Sequence, residues 1–395
     1  MKRMTKLLSV LTAGALFAGV LSGCGGGSGE KKAASGGDTI KIGGLLEMTG
    51  GSASFGISSK NGVDLAFKDI NAKGGVNGKK LELVVADDKS EASEAANGMQ
   101  KLISQDKVVA IIGPNQSSAV IASGAIANSA KIAQITPMGT NPDVTVDPST
   151  KKTKEYSFRA CFIDPFQGTV MANFAAKDLK VTKAAILIDN SSDYSKGLAA
   201  FFKETFVKLN GSIVAEEAFL QKDTDFKSTL TKIKAANPDI IYVPAYYQEV
   251  GLIVKQAREI GYEGVMAGGD GWDSSKLPEI AGKEALNKTY FSSPYSSDDI
   301  SDINKAFVTA YEKDYKSKPD VFAALAYDSA LLVAKAIEDA KSTEPAKIAA
   351  AMAKISGFKG VSGDVTFNEQ HNPIKSAVII EHVNGAQIFK TKVNP

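Results

Sequence analysis

The side chains best suited to chemistry lie where apolar runs give way to turns. Ser117 and Ser118 follow Gly113-Pro114-Asn115-Gln116, directly after the apolar residues 108–112. Thr140 falls in Pro137-Met138-Gly139-Thr140-Asn141-Pro142, after residues 132–136. Further on, Tyr246 and Tyr247 follow 239–243, and Asp270 and Trp272 follow 264–268. Hydroxyls and free backbone N–H groups at a helix start suit an anion such as a carboxylate. Capping of the helix would use the same serines, so both readings stand for Ser117 and Ser118. Asp270 beside aromatic rings offers an anion and apolar walls. One set of tips can hold a carboxylate and the other a cation, and an α-amino acid carries both charges.

Little else in the chain supports catalysis. Only His371 and His382 are present. His371 lies in a turn-like Gln-His-Asn-Pro and His382 in an apolar strand pattern, so both read as structural or solvent-facing, and a zinc site lacks ligands. No G-x-S-x-G elbow occurs, and Gly78-Lys79-Lys80 lacks the upstream glycine and the Ser/Thr of a phosphate-binding loop. The glycine-rich 267–271 lacks the three-glycine dinucleotide spacing. Asp87 and Asp88 could suggest a metal but read as a solvated pair at a strand's end. The expectation is a binding protein, with no enzyme activity, metal or cofactor.

The elements that must position these residues alternate. A strand at 40–46 precedes a helical face of Val63, Ala66, Phe67 and Ile70; strands at 81–86, 108–112 and 132–136 trade with helices over 92–103 and 118–130. The rhythm restarts after 154, with strands at 184–188, 213–219, 239–243 and 264–268 and helical stripes between them. This is the pattern of parallel sheets covered on both faces, repeated as two similar α/β lobes. The last third has helices near 302–316 and 322–340 and strand-like 376–381 and 387–390 around Asn384-Gly385, a hairpin turn. It is too mixed for a third block and is expected to divide itself between the first two.

The N-terminus reads as an address. Lys2, Arg3 and Lys6 lead into an apolar run over 7–21 and then Leu21-Ser22-Gly23-Cys24. A basic start, a short apolar stretch and small residues make a secretory signal over 1–23, too short to span a bilayer. Leu-Ser-Gly-Cys resembles the lipobox of bacterial lipoproteins, which implies lipidation at Cys24 and an extracytoplasmic protein anchored to the cell membrane; a plain secreted protein is the alternative. Residues 24–37 then form a flexible tether reaching about 20 Å. Removing 1–23 turns the formal charge from +2 to −1, so no basic surface for nucleic acid is implied. Cys161 is left without a partner and reads as a small buried apolar residue.

From about residue 40 to the C-terminus the chain resembles the branched-chain amino acid binding proteins of ABC importers, the leucine type of periplasmic binding protein. The stretches that carry the likeness are IKIGGLLEMTGGSASFG, GVDLAFKDINAKGGVNGKKLELVVADDK, AIIGPNQSSA, ITPMGTNP, SSDYSKGLA, YVPAYYQEVGLIVKQAREIGY and GGDGWDS, in order and spacing along nearly the whole mature chain. The resemblance implies an α/β fold of two doubly wound parallel-sheet lobes joined by three hinge crossings. The first lobe is expected to comprise 38–158 plus 291–370, and the second 159–290 plus 371–395. It further implies that Ser117 and Thr140 hold the ligand carboxylate, that the Met138 carbonyl and Asp270 receive the ammonium, and that Tyr194, Tyr246, Phe55 and Phe322 are aromatic walls. The family often has Glu where Asp270 stands, and its first-lobe disulfide has no counterpart here. The implied partners are an amino acid and a membrane ABC permease with its cytoplasmic ATPase, for a chain acting as a monomer. The alternatives are another amino acid, an amide or a small organic acid in the same fold, or a ligand sensor in place of a transport component.

Overall fold

The computed structural model of the protein describes residues 39–395. The lipidation site expected at Cys24, the signal and the whole tether lie outside the described residues. Among the described residues, no helix is long and apolar enough to cross a membrane.

Strand β1 (Ile40–Leu46) sends Ile40 and Ile42 to one side of its sheet and Leu45 to the other. Strands β2 (Leu81–Asp87), β3 (Ala110–Ile112), β4 (Ala133–Thr136) and β5 (Ser157–Arg159) complete an all-parallel sheet of order β2-β1-β3-β4-β5. Residues buried on both faces are what such a sheet requires. Leu45 meets Met99 and Leu102 of α2 (Ala92–Ser104) and Ala119 and Ala127 of α3 (Ser117–Ala130). The opposite face is covered by α1 (Ala53–Ala72), whose Val63, Ala66 and Phe67 are buried as their spacing implies.

The second lobe repeats the scheme. Helix α4 (Asp164–Asn173) leads to β6 (Lys183–Asp189), α5 (Asp193–Lys208), β7 (Ser212–Phe219), α6 (Lys227–Ala235), β8 (Ile240–Tyr242), α7 (Tyr247–Glu259), β9 (Val265–Gly268), α8 (Leu277–Ala281) and β10 (Thr289–Ser293). Its strands run parallel from β7 to β10. The chain then returns to the first lobe, where α9 (Asp302–Tyr315), α10 (Val321–Ala340), α11 (Pro345–Met352) and the small hairpin β11 (Phe358–Gly360) with β12 (Gly363–Val365) lie; α10 packs along α1. It comes back once more as β13 (Ala377–Val383) and β14 (Ala386–Val393), an antiparallel edge giving the order β14-β13-β10-β9-β8-β6-β7. Asn384 and Gly385, with φ of 51° and 78°, make the turn between them.

Two expectations are corrected here. The boundaries at 159 and 291 fall inside strands: Arg159 belongs to β5 of the first sheet, and Phe291 to Ser293 remain in β10 of the second. Asp88 is not solvated but fully buried. It lies beside buried Glu47, and burial with that like charge pushes its carboxyl up to about 9. No group of three or more potential metal-binding side chains gathers among the described residues.

Candidate functional site

The first-lobe half of the site is built by two loops leaving β3 and β4. Glu47, just past β1, accepts from Asn115 N at 2.8 Å, Gln116 N at 3.1 Å and Asn115 Nδ2 at 2.7 Å, fixing the approach to α3. After β4, Thr136 Oγ1 accepts from Gly139 N at 2.8 Å and donates to Pro114 O at 2.5 Å. The fully buried Arg159 donates to Gly139 O at 2.6 Å, Asn141 O at 2.9 Å and Thr145 Oγ1 at 3.1 Å. Asn141 N reaches Ser117 Oγ at 3.3 Å, which ties the two loops together. Ser117 and Thr140 are thus brought side by side, both buried, and the Thr140 hydroxyl has no partner among the described residues. A buried hydroxyl left this way carries a cost unless something else pairs with it.

The second-lobe half centres on Asp270, which opens a single 3-10 turn after β9. Its Oδ1 accepts from Tyr194 Oη at 2.8 Å and from Gln167 Nε2 at 2.9 Å. Gly269 makes this possible: a Cβ there would lie 2.4 Å from Tyr194 Oη and 2.9 Å from Gln167 Nε2. Burial pushes the Asp270 carboxyl up to about 6, with the Gln167 and Tyr194 donors pulling the other way. The Tyr194 hydroxyl is driven well above the usual tyrosine range by burial and the Asp270 charge. Trp272, on the same turn, donates Nε1 to Val243 O at 2.9 Å and anchors it to the sheet.

The two halves close on a shared cavity of about 10 Å³. Phe55 of α1 and Phe322 of α10 stack at 3.8 Å, and Tyr194 stacks on Tyr246 at 5.2 Å; Phe55 meets Tyr246 edge-on at 5.7 Å. The structure therefore brings Phe55, Met138, Tyr194, Tyr246, Asp270 and Phe322 to one cavity. Ser117 and Thr140 do not line it. Asn115 and Gly271 also line it, and sequence reasoning missed both, as it missed Gln167. Asn115 lay within the loop singled out, and the Gly269-Asp270-Gly271 turn was the available signal for Gly271. A larger cavity, about 730 Å³, opens on the hinge crossings instead; there Lys375 is buried and held by Ser362, and no site residue named above lines it.

Contacts between the lobes surround the cavity. Ser118 Oγ accepts from Asp193 N at 3.0 Å and donates to Asp193 Oδ2 at 3.1 Å, while Asn141 Nδ2 donates to Asp193 O at 2.8 Å. Elsewhere on the rim, Ser274 Oγ donates to Ser54 Oγ at 2.9 Å, and Lys222 pairs with Glu91. The arrangement is an aromatic box with a buried carboxylate from one lobe and Asn115, Met138 and the phenylalanines from the other, while the Ser117 and Thr140 hydroxyls lie outside its lining. Its residue types suit the two charges of a small zwitterion. At about 10 Å³ the closed cavity has room for about one water, so such a ligand enters only with the rings or lobes moved apart.

Known proteins share this architecture. A leucine binding protein from Thermotoga maritima superimposes with a TM-score of 0.85 at 38% identity, over 90% of this chain and 99% of that one. The branched-chain amino acid transporter substrate binding protein LivJ from Streptococcus pneumoniae, solved with isoleucine, gives 0.85 at 39% identity over 91% and 100%. A leucine-, isoleucine-, valine-, threonine- and alanine-binding protein of Pseudomonas aeruginosa is 29% identical over 94% of each chain. Residues 39–387 match the periplasmic binding protein family as a whole. With two lobes of mostly parallel sheet closing on one cleft, the chain belongs to the periplasmic binding protein family.

Proposed function

We propose that the protein captures a branched-chain amino acid, leucine, isoleucine or valine, between its closing lobes and delivers it to a membrane ABC permease with a cytoplasmic ATPase. The observation that carries this reading is the pairing of a buried carboxylate, Asp270, with an apolar box into which it faces. Asp270 already accepts from Tyr194 and Gln167, and an ammonium beside it would hold it in its charged form against the burial that favours protonation. An amino acid supplies that ammonium, with the Met138 carbonyl as second acceptor. Ser117 and Thr140 take the ligand carboxylate, and Phe55, Tyr194, Tyr246 and Phe322 enclose its side chain.

Binding and closure are then the whole mechanism. The ligand meets Thr140 and Asp270 together only when the lobes are shut, so it favours the closed state by the contacts unique to that state. Lipidation of Cys24 would keep a monomeric domain near the permease at the outer face of the cell membrane.

The test is a thermal-unfolding screen of the purified protein against the twenty amino acids. Saturating leucine, isoleucine or valine is expected to raise Tm; a ligand at a thousand times its Kd stabilises by about 4 kcal/mol. A screen in which none of the three raises Tm contradicts the reading.

A further inference from the structure

The two phenylalanines of the cavity wall each come one residue after a point where the second lobe grips the first. The first N–H groups of a helix have no partner within it. At the start of α10, the capping Asp320 accepts from Ala323 N at 2.9 Å, and Asp273, reaching over from the second lobe, accepts from Val321 N at 2.9 Å. Phe322 is the next residue. At the start of α1, Ser54 N donates to Tyr247 Oη of the second lobe at 3.3 Å, and the Ser54 hydroxyl accepts from Ser274 at 2.9 Å. Phe55 is the next residue, and its ring meets that of Tyr247 edge-on at 5.1 Å.

Asp273 belongs to the turn that carries Asp270. Its N–H donates to Asp270 O at 3.0 Å, Trp272 N donates to Gly269 O at 3.1 Å and Ser274 N to Trp272 O at 2.9 Å, so the backbone of 269–274 is held as one piece. Trp272 fixes that piece to Val243, and Gln387 of β14 donates to the second oxygen of Asp273 at 2.8 Å. Asp273 and Ser274 are buried. One turn of the second lobe thus bears the carboxylate of the ammonium end and, three residues on, the acceptor that seats the helix of Phe322.

Phe55 and Phe322 stack at 3.8 Å and leave a cavity of about 10 Å³, so the placing of these rings sets what ligand side chain the box admits. We propose that Asp273 and Tyr247 are positioning residues that determine side-chain specificity: by accepting from Val321 N and Ser54 N they seat Phe322 and Phe55 at a fixed distance from Asp270. This rests on the reading that the ligand ammonium meets Asp270. Neither residue lines the cavity, so each acts through its phenylalanine. A loosened wall gives up a short ligand side chain before a long one, since a gap of about 1 Å forfeits up to about half of a contact's attraction.

The test is calorimetric titration of the full chain with leucine and valine. Asp273→Ala is expected to weaken valine more than leucine and to move their affinity ratio by about threefold or more, a fraction of what one methylene is worth in an apolar pocket. In a Phe322→Ala background the same substitution is expected to leave the ratio unmoved. Asp273→Asn keeps an oxygen for Val321 N and, with the Gln387 amide turned over, a partner for Gln387, so it is expected to restore the wild-type ratio. Tyr247→Phe removes only the hydroxyl that takes Ser54 N, and is expected to move the ratio in the same sense; it carries the test if Asp273→Ala folds poorly. Losses shared equally by leucine and valine in these variants, as a merely structural role gives, or a shift that persists in full without the Phe322 ring, overturn the proposal. Failure of the underlying reading looks different: wild type then binds neither amino acid.

Discussion

Ser118 and Asp193, on opposite lobes, exchange two hydrogen bonds across the mouth of the cleft, and the next residue along α5 is Tyr194, which donates to Asp270. A first-lobe serine therefore fixes the start of the helix that orients the second-lobe carboxylate. These bonds contribute to closure without touching the cavity. Ser118→Ala is expected to weaken leucine, isoleucine and valine by the same factor, about two- to tenfold, because a net hydrogen bond is worth about 0.5–1.5 kcal/mol. The loss should appear mainly as faster dissociation in stopped-flow measurements that use the single Trp272, and the Ser118→Ala, Asp193→Ala double mutant should lose less than the sum of the two. Strictly additive losses, or a changed order among the three ligands, would remove the coupling.

Thr140→Ala removes a hydroxyl with no partner among the described residues, whereas Ser117→Ala removes one that already accepts from Asn141 N. If each hydroxyl meets the ligand carboxylate as proposed, each variant deletes a hydrogen bond to a charged group, worth about 1.5–3 kcal/mol, and affinity should fall roughly ten- to over a hundredfold. Ser117→Ala should also lower the Tm of the ligand-free protein, since Asn141 N loses its acceptor, and Thr140→Ala should not. Calorimetry with unchanged affinity for both variants would return them to a structural role.

Most of the sheet strands were legible from residues alone because burial on both faces leaves unbroken apolar runs, but β5 and β10, where Ser157, Arg159, Thr289, Ser292 and Ser293 interrupt such runs, were not read. β1 spans 40–46 as read, and Asn384-Gly385 turns the last hairpin. Helix α4 was not legible. Pro165 and Gly168 argue against a helix by propensity, yet proline is tolerated in a helix's first turn. Gly168 is there for close packing: a Cβ would lie 2.7 Å from Phe201 Cβ. Missing α4 meant missing Gln167, which donates to Asp270 from where the chain first passes between lobes. The burial of Asp88 was hidden likewise, because Glu47 lies forty-one positions earlier in the chain and meets it only through the pairing of β1 with β2.

Cys161 is free and fully buried, and burial pushes its thiol up to about 12. The thiolate is the reactive form, so a thiol reagent should leave Cys161 unmodified in the native protein at pH 8 and label it once the protein is unfolded. Rapid native labelling, read by mass spectrometry, would contradict this burial.

The Asp270 carboxyl must be ionised to pair with an ammonium. Its folded value, about 6, lies above the ordinary value of 3.8, so the charged form is lost as pH falls through about 6. A bound ammonium favours the charged form and moves that loss lower. Leucine affinity is therefore expected to decline as pH drops from about 6.5 toward 5, with proton release on binding in that window, while Asp270→Asn should bind weakly and show no such decline. An affinity that rises on acidification would reverse the assignment.

The most direct test compares leucine with its deaminated 2-oxo acid by calorimetry at pH 7, in wild type and in Asp270→Asn. Truncating one partner of a buried, hydrogen-bonded charge pair costs about 2–5 kcal/mol. Leucine should therefore bind wild type tightly and Asp270→Asn about thirty- to a few thousandfold more weakly, with the 2-oxo acid showing no measurable binding to wild type. Equal affinity of wild type for the two compounds, with Asp270→Asn binding leucine as wild type does, would contradict amino-acid recognition through Asp270.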